Sequence, residues 1–163
     1  MRKIMFLLLC LMISLITPRA HADSTVVSDS TRYTLHLRHD PQVILPLRET
    51  VFWADLVQTA DGAPVTEFTP VSQRRNPATG QNEWVDTVGN AVTTGKTVST
   101  HLWMQMGDHG HGASATETRA EPRGSHHLIV RKAFFSMPGR WQLIFTFKNG
   151  ADVLDRAVVP CML

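Results

Sequence analysis

The sequence predicts an all-β protein: an immunoglobulin-like β-sandwich of about seven strands with one long polar loop insertion. Three observations predict it. Short β-rich runs recur along the chain, with turn residues between them. Several of these runs alternate apolar and polar residues with a period of two. No segment carries a long apolar period of 3.6.

The elements follow in order. Tyr33 to His39 alternates as a half-buried strand does, and Thr50 to Val57 is rich in β-formers. Asp61-Gly-Ala-Pro64 is a turn signal, after which Val65 marks strand re-entry. Thr66 to Gly95 is the polar insertion. Within it Ser72 to Asn82 reads as an exposed hairpin tip or loop, with Trp84 and Val85 as its anchors to the body. Lys96 to Met106 and His127 to Phe134 are β-rich. Met137-Pro138-Gly139 is a tight corner. Arg140 to Phe147 then places Trp141, Leu143, Phe145 and Phe147 on one face, and Val153 to Val159 closes the set.

The beginning of the sequence sets the expected compartment. Met1-Arg2-Lys3 is positive, Ile4 to Ile16 is almost wholly apolar, and Ala20-His21-Ala22 fits a small-residue cleavage site. That is the layout of a secretory signal peptide, and the apolar run is shorter than the ~20 residues a membrane span needs. The expected divisions are therefore a signal peptide over 1–22, an N-terminal segment and first strand over 23–44, and a sandwich domain over 45–163. The expected location is the periplasm or the exterior, and the processed chain is not an integral membrane protein.

Charge narrows the function classes. The whole chain carries a formal net charge of +2. Removing Arg2, Lys3 and Arg19 from the 16 basic residues leaves 13 against 14 acidic ones, a net charge of −1. Without clustered Lys and Arg, nucleic acid is not an expected partner. No nucleophile triad, phosphate loop or paired-carboxylate pattern appears, so the chain reads as a non-enzyme. An oxidative copper enzyme built on His21 as a new N-terminus requires cleavage after Ala20, which fits the site less well. Cys161 is the only cysteine left after processing and reads as a small buried residue at the end of the last strand.

The concentrated feature is His101-Leu-Trp-Met-Gln-Met-Gly-Asp-His-Gly-His-Gly112. Five of the eight histidines lie between 101 and 127, and three of the seven methionines between 104 and 137. Thioethers favour Cu(I), and imidazole accepts copper, zinc or nickel. The mixture suits hard, oxygen-seeking ions poorly. In a strand Met104 and Met106 share a face. The glycines after them permit positive φ and break a regular strand, so that His109 and His111 can fold back towards one ion. Asp108 can accept the other ring N–H of a liganding histidine. Met137 or His127 can complete the shell. If His126-His127 is a strand, its two rings point to opposite faces and at most one of them can join.

A bland reading stands beside this one. Same-face methionines in a sandwich are commonly core packing. Met137 can simply fill its corner, and His101, alternating with Trp103, reads as a cross-strand packing residue.

Asp61-Gly-Ala-Pro-Val65, Met104-Gln-Met-Gly-Asp-His-Gly-His-Gly112 and Phe135-Ser-Met-Pro-Gly-Arg-Trp-Gln-Leu143, in that order, resemble the YtkA-like (FixH-like) family of small exported domains. The resemblance spans roughly 45–159. It implies an immunoglobulin-like sandwich and a link to copper handling or haem–copper oxidase assembly. It marks Met104, Met106, His109, His111, Met137 and Trp141. The chain departs from the family in its long 66–95 stretch and in carrying Gln105 and Asp108 at the turn.

The expected function is thus an exported metal-binding protein, with copper and chiefly Cu(I) as the cofactor. It acts as a carrier or in metalloenzyme assembly, with a protein partner in the cell envelope. The alternative is a metal-free adaptor module that binds a partner through the long loop.

Overall fold

The computed structural model describes residues 22–106, 109–112, 115–122 and 124–163. It gives no side-chain description of Ala22, Asp23, Met106, His109 or Ser125. The expected signal peptide, all but Ala22, lies outside the described residues.

The described chain is all-β, with no helix among the described residues. One sheet has five strands. β1 (Ala22–Val27), β2 (Tyr33–Asp40) and β3 (Glu49–Gln58) are joined by β10 (Gly124–Phe134) and β9 (Glu117–Glu121), in the order β1-β2-β3-β10-β9. The other sheet runs β12 (Asp152–Met162), β11 (Arg140–Asn149), β7 (Lys96–Met106) and β4 (Thr69–Pro70). β8 (His109–Gly112) also pairs with β7, beyond β4. A separate hairpin of β5 (Ser72–Arg75) and β6 (Asn82–Val85) forms the insertion.

The expected strands at 33–39, 50–57, 96–106, 127–134, 140–147 and 153–159 are all present, and so is the hairpin at 72–82. Val85 is buried and anchors that hairpin as expected, while Trp84 stays partly exposed under the Lys148 ammonium, 5.8 Å from the ring centroid. The strand re-entry expected after Pro64 shrinks to a single bridge between Val57 and Pro64.

Alternation explains the layering. Leu35 and Leu37 of β2, Phe52, Ala54 and Leu56 of β3, and Leu128 and Val130 of β10 face inward. Opposite them lie Trp141, Leu143, Phe145 and Phe147 of β11, with Val98, Leu102 and Met104 of β7. Each large apolar side chain taken from water contributes roughly 1.5–3 kcal/mol. The two sheets are clasped at both edges. On one side the Asp29 N–H donates to the Arg156 carbonyl (2.7 Å), and Ser30 hydrogen-bonds the Asp155 carboxylate through its hydroxyl and its N–H. On the other, buried Thr100, Thr116 and Thr118 share hydroxyl contacts of 2.7–2.8 Å between β7 and β9.

Several elements converge at one end of the sandwich. There β2 finishes, β3 begins, β10 hands over to β11 through the Met137-Pro-Gly139 corner, and β12 ends beside it. The Leu47 N–H donates to the Phe135 carbonyl (2.8 Å), and the Leu163 N–H to the Gly139 carbonyl (3.2 Å). Met104, the start of β11 and the β7–β8 hairpin are at the same end.

Candidate metal centre

Strand β7 sets the site. Its register with β11 puts Met104 opposite Trp141, and its register with β8 puts Met104 opposite His111 and Met106 opposite His109. Direct partners in an antiparallel pair carry their side chains on the same face, with Cβ atoms about 5 Å apart. Met104 faces the core at 5% exposure, and exposed His111 sits beside it on the edge strand. The side chains of Met106 and His109, and all of Asp108, lie outside what the structure describes.

His109–Gly112 forms a strand, contrary to the expectation of a broken one, while Gly107 and Asp108 lie outside the described residues. Neither Gly110 nor Gly112 has positive φ. The role of Gly110 is space. On the outer face of β7 the Trp103 indole lies across Gly110, where an added Cβ would come within 1.8 Å of a ring carbon. A glycine there lets β8 pair beneath a tryptophan.

The corner closes over the same end. Gly139 has φ +147, and a Cβ on it would meet the Met104 methyl at 2.2 Å. The Trp141 indole N–H donates to the Met137 carbonyl (2.9 Å), and its ring packs edge-on against Phe135 at 5.6 Å. Met104, His111 and the Met137 corner therefore lie at the same end of the sandwich. The Met137 side chain is partly exposed.

His127 is a correction. It lies on the opposite sheet, on the face turned from the core, because the inward positions of β10 belong to Leu128 and Val130. Its Nδ1 pairs with the Asp55 carboxylate at 2.6 Å. Asp55 is the register partner of both His127 and His36, so the three form a row across β2, β3 and β10. The His126 and His127 rings lie together, with centroids 3.8 Å apart, instead of on opposite faces. The register shift between Gly124 and Leu128 accounts for this, since a bulge breaks the alternation.

His101 points outward from β7. The desolvation its ring meets on the sheet, and then the charge of Arg156, hold its pKa below the ordinary 6.5. Cys161 is buried and free, as expected, and burial pushes its thiol up to about 12. That leaves it almost wholly protonated and a poor metal ligand at neutral pH.

Among the described residues no group of three or more His, Cys, Asp or Glu side chains is placed to hold a metal ion. The pairing of Asp55 with His127 and the close approach of Gly139 to Met104 were not legible in the sequence. Only the tertiary register reveals the first, and only the packing of the corner reveals the second. No protein family, curated protein or solved structure matches the chain. Among the described residues no helix is long and apolar enough to cross a membrane.

Proposed function

We propose that the chain is an exported, immunoglobulin-like domain of YtkA-like type that binds copper, preferably Cu(I). It acts as a carrier or in the assembly of a copper enzyme of the haem–copper oxidase kind. One observation carries the reading: the β7–β8 register, which sets His111 opposite Met104 and His109 opposite Met106. Two thioether–imidazole pairs on neighbouring strands are a soft, mixed donor set suited to Cu(I). Met137, in the corner that caps this end, is the further thioether available, and Asp108 remains the candidate carboxylate for a histidine N–H. His127 has no part in this site.

The test is a Cu(I) titration of the processed chain, competed against a chromophoric chelator, beside the His109→Ala/His111→Ala double variant. Stoichiometric binding that the variant loses supports the reading. Absent binding, or equal binding by both proteins, overturns it.

A second reading is favoured by a separate observation. Met104 belongs to the core, its methyl group packed on Gly139. In that reading the β7–β8 hairpin is architecture and the chain is a metal-free adaptor. Its contact surface is then the β5–β6 hairpin, beside a groove of about 370 Å³ lined by Val71, Trp84, Val92, Thr97 and Lys148. The double variant then keeps its partner and its fold.

A further inference from the structure

We infer that the outer face of the β12-β11-β7 sheet, from the groove at Trp84 across to Arg156, binds an acidic oligosaccharide: a short chain of pyranose rings bearing carboxylates. The groove holds about 370 Å³ and includes Thr97 and Ser99, so it lies at the start of β7, away from Met104 near the end of that strand. Its volume falls in the range of small-ligand sites, roughly 300–1,000 Å³.

Charge selects the partner. Alternation turns Arg140 and Lys148 of β11 and Arg156 of β12 outward on this sheet. Among the described residues no carboxylate lies within ion-pair distance of any of the three. The acids beside the face are turned elsewhere. Glu83 is held by Arg74 (2.7 Å) and Asn76 (2.9 Å), and Asp155 is buried and accepts the Ser30 N–H. Asp152 shares the side of Asn149, its register partner, and not that of Lys148. The opposite sheet differs. There Arg131 meets Glu49, and Arg119 and Lys132 both meet Glu117. Arg156 reaches over its own face: after desolvation, its charge is what holds the His101 pKa down. Cations left unmatched on one face only call for an anion from outside.

The groove selects a sugar. The Trp84 ring is partly exposed, with the Lys148 ammonium 5.8 Å from its centroid. A pyranose has a face of C–H bonds that lies flat on an indole, and hydroxyls around its rim. Thr94, Thr97 and Ser99 line the groove, and among the described residues their hydroxyls have no hydrogen-bond partner. A carboxylate on the sugar draws Lys148 off the ring into a charge-assisted hydrogen bond, the stronger of the two contacts. The freed ring face takes the pyranose, and the next carboxylate meets Arg156. The spacing suits this chain better than nucleic acid. A phosphodiester strand carries a charge every ~3.4 Å, whereas strand geometry sets the Lys148 and Arg156 backbones roughly 8 Å apart. One carboxylate per pyranose ring is a sparser array. The inference needs neither copper nor a protein partner.

The test is calorimetric titration of the processed chain, without copper, with tetramers of galacturonate, mannuronate and guluronate. Neutral maltotetraose and octathymidylate are the controls. At least one uronate tetramer should bind about tenfold or more tighter than either control, and more weakly as salt rises. Lys148→Gln and Trp84→Ala alter residues outside the core, and each should weaken that binding about tenfold or more. No binding by any uronate, equal binding of maltotetraose, or unchanged affinity in either variant overturns the inference. Octathymidylate bound as tightly as the uronate also overturns it and assigns the face to polyanions at large. Because copper is absent and His109 and His111 are untouched, the result stands apart from the Cu(I) titration, and either can fail alone.

Discussion

His111 and His127 are close in sequence but belong to different parts of the molecule. His111 stands on an edge strand beside Met104, over a corner built from Gly139 and Trp141. His127 stands on the outer face of the other sheet, held by the carboxylate of Asp55. The first stands beside a core residue, Met104, so its region is supported by buried packing. The second is a surface pair, and disturbing it changes little. Proximity along the chain had grouped them, and strand register separates them.

The largest expected effect comes from breaking the support of the first region. Trp141→Ala removes a fully buried indole, its hydrogen bond to the Met137 carbonyl and its contact with Phe135. It should cost about 3–5 kcal/mol, measured by urea unfolding, and should weaken copper binding in the same protein.

Gly139→Ala sharpens the comparison. A Cβ there overlaps the Met104 methyl on a backbone that side chains rarely adopt. The expected cost is roughly 1–3 kcal/mol. A double-mutant cycle with Met104→Ala should recover the part due to the overlap and leave the part due to φ. Strict additivity would mean that the two residues do not press on one another.

His101 tests β7 from its outer side. Its pKa is lowered in the folded chain, so its contribution is fully present above the ordinary 6.5 and is lost as pH falls through the lower folded value. Stability measured from pH 7 to pH 5 should therefore decline more in the wild-type chain than in His101→Gln. Equal declines would contradict the assignment.

The smallest effect belongs to the surface pair. Asp55→Asn should change stability by no more than about 1 kcal/mol, since the pair is partly solvated. His127→Ala should leave Cu(I) affinity unchanged. A clear loss of affinity would return His127 to the metal site and undo the comparison.

The sequence made the frame legible because alternation is a local signal. Trp141, Leu143, Phe145 and Phe147 announce their shared face in eight residues, and the structure buries all four. Turn chemistry made 72–82 legible as a hairpin tip or loop, and the pairing of β5 with β6 makes it a hairpin. The site was legible only as a composition. Gly110 looked like a source of positive φ and turned out to be the space for Trp103, a demand set by the strand opposite. His126 and His127 broke the two-residue alternation because a bulge intervenes, and bulges leave little mark in a single sequence. Asp55 could not be matched to His127 before β3 and β10 were known to be neighbours.

The central claim is that thioether and imidazole groups on β7 and β8 share one ion. X-ray absorption of the Cu(I)-loaded protein reads that ligand set directly. Sulfur and nitrogen together in the copper shell, with the nitrogen lost in His109→Ala/His111→Ala and kept in His127→Ala, is the predicted result. A shell without sulfur, or one that His127→Ala alters, would contradict it.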